Sequence, residues 1–357
     1  MRPFAGRLGL QQRVLPGYRA AFFDHLASRC DGGLGVFAGE PRANEAITTT
    51  HSLSSAKFKP ARNIHLLGGK FYLCFQSGIQ AWLSEWDPSA LILEANARYP
   101  LSRGAMTWMR RKGRPVLGWG LGAPGRSSFR DGFLKSFDAL IAYSNQGAEE
   151  YESIGFAAER IFVAPNAVTG PPLPLPVREA DGSDRMTILF VGRLQERKRV
   201  DLLLRACGRL DPKPALWIVG DGPARTALER EALSSYPSAE FMGALQGEAL
   251  EAMFRLADLF VLPGTGGLAV QQAMAHGLPV IVAEADGSQR DLVKEHNGWM
   301  VPPGDLEALA LALEEALRDP VRLREMGAAS HRIVSERVNI EIMAEVFLTA
   351  LQAVRTT

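Results

Sequence analysis

Apolar residues recur along this chain in short runs, each closed by a glycine, a proline or a charge. In the second half the runs lie at residues 187–191, 216–219, 259–262 and 280–283. Their length and uniform apolarity read as parallel strands buried on both faces. Longer stretches between them carry apolar positions at the helical period. The first half repeats the pattern, with strands expected near 34–38, 64–67, 91–94, 116–119, 139–143 and 161–163. Helices are expected near 17–28, 78–85, 101–111, 132–136 and 146–154. Strand–helix alternation predicts an α/β fold with parallel sheets. The pattern breaks at 169–184, TGPPLPLPVREADGSD, which reads as an extended linker. Residues 340–355 predict a last amphipathic helix.

In open α/β sheets ligands bind at the carboxyl ends of the strands. The run at 187–191 is followed by Gly192, Arg193 and then Lys198, with Arg197 and Arg199 beside it. The run at 216–219 ends in Gly220-Asp221-Gly222-Pro223. The run at 259–262 ends in Pro263-Gly264-Thr265-Gly266-Gly267, and a helix follows. A glycine-rich turn opening a helix offers backbone N–H groups and a positive dipole end to an anion. Two cations and such a turn on one edge suggest a diphosphate. Asp221 reads as a cap for a helix near Ala224, and Glu248 as a first-turn helix residue. His276, before Gly277, reads as a helix C-terminal cation.

In order, the segments GRL…K, VGDGP, ADLFVLP, AMAHGLPVI and NGWMVPPGD resemble the donor-binding half of the retaining GT-B glycosyltransferases of family 4. The resemblance is strong over the carboxyl half and weak over the amino half. It implies two Rossmann-like domains facing each other across a cleft: an acceptor-side domain at 1–168, a linker at 169–185 and a donor domain at 186–337. The helix at 338–357 is expected to pack back on the first domain. The implied reaction moves a sugar from a nucleotide-sugar donor to a hydroxyl of a glycan or lipid-linked acceptor, without cofactor or metal. Cell-surface polysaccharide or glycolipid synthesis is the expected setting.

Arg193 and Lys198 would then stabilise the charge that the leaving diphosphate gains. Gly192, Gly220, Gly264, Thr265, Gly266, Gly267 and Leu268 would hold the phosphates and neighbouring sugar oxygens. The resemblance places the base near Gly243 and Leu245. The loop at 285–291, ADGSQRD, offers Asp286, Ser288, Gln289 and Asp291 to sugar hydroxyls, or forms an Asx turn before a helix at Leu292. Two positions depart from the family, which carries glutamates where this chain has Gly264 and Gln272. In the family the first acid lies near the sugar and the second contacts the ribose. Gln272 can still bond ribose hydroxyls. The expectation is a divergent active subgroup; a nucleotide-sugar 2-epimerase and an inactive, partner-binding subunit are the rivals.

On the first-half edge, the strand at 91–94 ends in Glu94, with Asn96 and Arg98 following. Glu94 is the candidate general base on an acceptor hydroxyl, or a partner for Arg98. The turn at 118–126 adds Gly120 and Gly122; Leu121 stands where family members often present a histidine. The stretch from Arg13 to Phe23, with Tyr18 and Arg19, is expected to face the acceptor and contact a membrane surface; its phenylalanines read as core.

Composition narrows the setting. The net charge of +1 points to no nucleic-acid partner. Three scattered cysteines suggest a reducing compartment rather than a disulfide framework. The start lacks an apolar signal core, and no run approaches the ~20 apolar residues of a membrane span. A cytoplasmic protein, peripheral at the inner face of the membrane, is expected.

Overall fold

A computed structural model describes residues 2–42, 45, 47–175, 185–285 and 287–354. The chain divides into two compact units, residues 1–168 with 340–357, and residues 169–339.

The first unit contains β1 (Leu8–Val14), β2 (Leu34–Gly39), β3 (Lys57–Pro60), β4 (Arg62–Leu66), β5 (Leu73–Ser77), β6 (Ala90–Glu94), β7 (Val116–Gly120), β8 (Ala139–Ala142) and β9 (Ile161–Val163). Seven of these make a parallel sheet in the order β3-β2-β1-β6-β7-β8-β9. The remaining two, β4 and β5, pair antiparallel as a separate hairpin. One sheet face packs on the helices Ala20–Ser28 and Ile340–Ala353, burying Leu10, Ile92, Leu117, Phe22 and Phe347. The other face buries Leu91, Leu93, Leu140 and Phe133. Strands covered on both sides must be apolar throughout, as the sequence pattern implied. The pattern does not predict β1, β3 or β5.

The second unit contains β10 (Thr187–Val191), β11 (Ala215–Val219), β12 (Ala239–Gly243), β13 (Leu259–Leu262), β14 (Val280–Ala283) and β15 (Gly298–Val301). They form one parallel sheet, in the order β12-β11-β10-β13-β14-β15. Its core joins Phe190, Leu203, Phe260, Val282 and Leu313. The unit ends at Asn339 rather than 337.

Strand order locates the candidate ligand edge of each unit. The order reverses between β10 and β13 in the second, and between β1 and β6 in the first. A crevice opens where neighbouring crossovers leave to opposite faces. Gly192 and Gly264 follow the strands at one switch point; at the other, Glu94 ends β6 and Arg13 is the last residue but one of β1.

Candidate functional site

At the switch point of the second unit, the Gly192 N–H donates to the Val219 carbonyl (3.0 Å) and the Gly220 N–H to the Gly243 carbonyl (2.7 Å). These bonds carry the strand ladder past the strand ends. Gly220, at φ +139°, lies so close to the Gly192 carbonyl that a side chain there would collide with it.

The turn after β13 is clamped by the segment at 197–198. The Thr265 N–H donates to the Arg197 carbonyl (3.0 Å), and Arg197 Nη1 donates to Thr265 Oγ1 (3.1 Å). Lys198 Nζ donates to the Thr265 carbonyl at 2.6 Å, which seats the ammonium against Gly266. Gly264 faces the backbone of that segment: a Cβ there would lie 2.7 Å from Lys198 Cα and strike the Arg197 carbonyl. From the far side, Gln289 Nε2 donates to the Gly266 carbonyl (2.7 Å), and the Ser288 hydroxyl lies against Gly267. Gln289 is fully buried, and its Oε1 has no hydrogen-bond partner among the described residues.

The turn's carbonyls are therefore occupied from both sides. The helix Leu268–Ala275 starts here, with the orphan N–H groups of any helix start. The fold thus brings Lys198, Gly264–Gly267, Leu268, Ser288 and Gln289 together. Arg193 is half-buried just past Gly192 on the same edge. Gln272 is half-buried on the helix. Gly243 ends β12 and bonds Gly220 through its carbonyl, and Leu245 follows it.

Several expectations on this unit change. Thr265 Oγ1 is engaged by Arg197, so it is held rather than free for a ligand. Asp221 does not cap the helix Arg225–Ser235; its carboxylate accepts from the Gly222 N–H (2.7 Å) within its own turn. Ser288 to Leu292 are themselves helical, so that helix starts before Leu292. Asp286 lies outside the described residues. Glu248 is in the first turn of the helix Gly247–Leu256, and His276 Nδ1 bonds the Gln272 carbonyl (2.8 Å) at a helix end.

In the first unit Glu94 ends β6 half-buried. Its carboxylate accepts the Arg13 N–H (3.0 Å), and its own N–H donates to Gln11 Oε1 (3.1 Å). The expected Arg98 partner is not the one used: Arg98 is exposed, and its N–H donates to Asn96 Oδ1 (3.1 Å). Arg13 instead sends its guanidinium to Glu45 (2.7 Å). Burial raises the Glu94 carboxyl above the usual glutamate range, against the lowering pull of the Arg13 N–H and charge, the Tyr99 hydroxyl and the Arg19 charge.

Arg19, expected at an acceptor or membrane face, is only 3% exposed. Its guanidinium stacks 4.3 Å from the Trp119 ring, and Nη2 donates to the Tyr143 hydroxyl (3.3 Å). Burial first, and Glu94 charge among further causes, push the Tyr143 hydroxyl up to about 12. Gly120 and Gly122 are glycines for packing: a Cβ at either would meet the Tyr151 hydroxyl or the Glu150 carboxylate. Leu121 is exposed. Sequence reasoning missed Arg13 and Tyr99 as neighbours of Glu94. The signal for Arg13 was the polar end of an unrecognised strand.

A cavity of about 500 Å³ lies elsewhere in this unit, at the amino ends of β7, β8 and β9 among Arg110, Arg114 and Arg160. No candidate residue lines it, and Arg114 is tied to Asp87 (2.6 Å). Among the described residues no three His, Cys, Asp or Glu side chains cluster in a way that could hold a metal ion. No described helix is long and apolar enough to cross a membrane.

Comparison with known proteins places these edges in context. Residues 185–319, within the second unit, match the protein family described as "Glycosyl transferases group 1". The chain is 33% identical over 162 residues to sulfoquinovosyl transferase SQD2 of Arabidopsis thaliana, covering 43% of this chain and 31% of that protein. It is 39% identical over 152 residues to a GDP-mannose-dependent alpha-mannosyltransferase of Corynebacterium glutamicum, covering 42% of this chain and 35% of that one. The matches thus span well under half the length of these relatives. Among solved structures, Anabaena Alr3699/HepE in complex with UDP superposes with a TM-score of 0.74 at 16% identity, covering 99% of this chain and 100% of that one. Sucrose-phosphate synthase from Thermosynechococcus elongatus gives a TM-score of 0.72 at 20% identity, covering 98% of this chain and 99% of that one. The fold is GT-B, with two Rossmann-like units.

Proposed function

We propose that this chain is a metal-independent glycosyltransferase that moves a sugar, with retention, from a nucleotide-sugar donor to a hydroxyl of a glycan or lipid-linked acceptor at a membrane surface. The observation that carries the reading is the seating of Lys198 on the glycine turn where the helix Leu268–Ala275 begins. A fixed ammonium, Arg193 on the same edge and a helix start together suit a diphosphate. As the bond from the anomeric carbon to the diphosphate oxygen breaks, that oxygen gains charge. Cations already in place stabilise it without reorganising. In this reading the acceptor oxygen forms the new bond on the face the diphosphate leaves, and its proton passes to the departing phosphate oxygen.

Gln272 is assigned to the donor ribose, and Ser288 and Gln289 to the sugar end. The match to group 1 glycosyl transferases and the dependence of a relative on GDP-mannose support a nucleoside diphosphate sugar. A second reading gives that acceptor proton to Glu94 of the first unit instead, because a carboxylate with a raised pKa is a stronger base once ionised.

A thermal-shift screen of GDP- and UDP-sugars tests the donor, since a ligand bound to the native state raises its melting temperature. One donor should stabilise the protein, and mass spectrometry should find its sugar on a component of a membrane-lipid extract, in excess EDTA. Donor binding with no transfer to any acceptor would favour a binding subunit. Transfer lost in EDTA and restored by magnesium would remove the metal-independent mechanism.

A further inference from the structure

The β4–β5 hairpin has its faces the wrong way round for a strand pair on a soluble surface. Its inward positions are largely polar: Asn63 opposite Gln76, and His65 opposite Cys74. They are held by bonds to main chain, Asn63 Nδ2 to the Arg13 carbonyl (2.7 Å) and Gln76 Nε2 to the Gln12 carbonyl (3.0 Å). Its outward pairs are Ile64 with Phe75 and Leu66 with Leu73. At the tip, Leu67 is 71% exposed and Phe71 76% exposed. Between them Gly68 and Gly69 have open space around them. Apolar residues gathered at one exposed end mark an interaction site.

Charge selects the partner. Residues 46–84 contain no Asp or Glu, yet carry Lys57, Lys59, Arg62 and Lys70 in a chain whose net charge is only +1. The flanking acids in the sequence are paired, Glu85 with Lys59 and Glu45 with Arg13, and Glu40, whose carbonyl bonds Asn63, is paired with His51. A second copy of the chain docked face to face would bring the same cations together, because a two-fold contact matches like with like. A surface rich in anionic lipid matches both the apolar tip and the cations beside it: Arg42, whose guanidinium donates to the Leu67 carbonyl (3.4 Å), and Arg62, exposed on the same face as Ile64 and Leu66.

We infer that the β4–β5 hairpin seats the first unit on anionic membranes, with Leu67 and Phe71 entering the headgroup region and Arg42 and Arg62 meeting the lipid phosphates. This replaces the 13–23 segment as the membrane element, since Arg19, Phe22 and Phe23 of that segment are buried. The inference does not depend on sugar transfer, and its test uses no donor.

Co-sedimentation with vesicles of phosphatidylcholine, alone or mixed with phosphatidylglycerol, measures it. The full chain should bind only the mixed vesicles and be released by high salt. The double variant Leu67→Ser/Phe71→Ser, and separately Arg42→Glu/Arg62→Glu, should each lower binding about tenfold or more. Both should keep the wild-type circular dichroism. No binding to mixed vesicles, or undiminished binding by the tip variant, overturns the inference. So does a dimer in sedimentation velocity that the tip variant dissolves, which would make a second copy the occupant.

Discussion

Gly264 lies against main chain, and its surroundings explain why no side chain stands there. The Arg197–Lys198 backbone occupies the space that a Cβ would need. Main chain cannot swing aside as a long side chain can, so overpacking of this kind costs about 1–3 kcal/mol. Gly264→Ala should therefore lower the urea midpoint and weaken donor binding. Gly264→Glu should be slower than wild type with the native donor; a faster variant would show that the close packing does not govern the site. Lys198→Ala removes the cation seated by that packing, and Arg193→Ala its neighbour on the edge. Each should slow transfer about a hundredfold, ~3 kcal/mol of transition-state stabilisation. Wild-type rates in both would end the diphosphate assignment. Glu94 carries a pH signature. Its folded pKa is raised, so the native state binds more protons than the unfolded chain above the ordinary glutamate range of about 4.3. Its contribution to stability is complete below that value and is lost as pH rises through the folded pKa. Glu94→Gln keeps an oxygen for the Arg13 N–H but cannot ionise. Its melting temperature should gain on wild type as pH rises from 4 toward 7, while its transfer rate falls. A constant difference across that range would refute the raised pKa.

At the scale of elements, the sequence was most legible where burial is most complete. β10, β13 and β14 are uninterrupted apolar runs between helices, and a strand covered on both faces has no other composition available. β1 is as buried but was not legible, because Gln11 and Gln12 sit in its carboxyl half. Their polarity is offset by partners far along the chain: Gln11 bonds Glu94 and Gln76, and Gln76 bonds the Gln12 carbonyl. Only a completed fold supplies such partners, so a single sequence reads them as a strand's wet end. The same limit hid the partner of Glu94. Arg98 is near it in sequence, whereas Arg13 reaches it across the switch point. The hairpin shows a further limit. Alternation in β4 was visible, but period two does not say which face turns inward.

At the scale of the whole molecule, the first unit is discontinuous. The chain leaves it at Val168 and supplies its last helix, Ile340–Ala353, after the second unit is complete. Phe347 of that helix packs 5.1 Å from the Phe22 ring and 5.0 Å from the Trp119 ring. Phe347→Ala should cost about 3–5 kcal/mol. Hydrogen exchange should locate the loss, with faster exchange in Ala20–Ser28 and β7 and unchanged rates in β10 and β13. A uniform acceleration across both units would contradict this.

The returning helix also sets an order on the ribosome. Residues 169–339 must be made before the covering of Phe22 and Trp119 exists. At 5–20 residues per second that interval is roughly ten to thirty seconds. The unit synthesised first is thus the one finished last, and its apolar face is offered to chaperones throughout. Nascent chains stalled at residue 339 should be cut by protease within Ala20–Ser28, and chains released at full length should not. Equal resistance in both would mean that the first unit closes its core without its final helix.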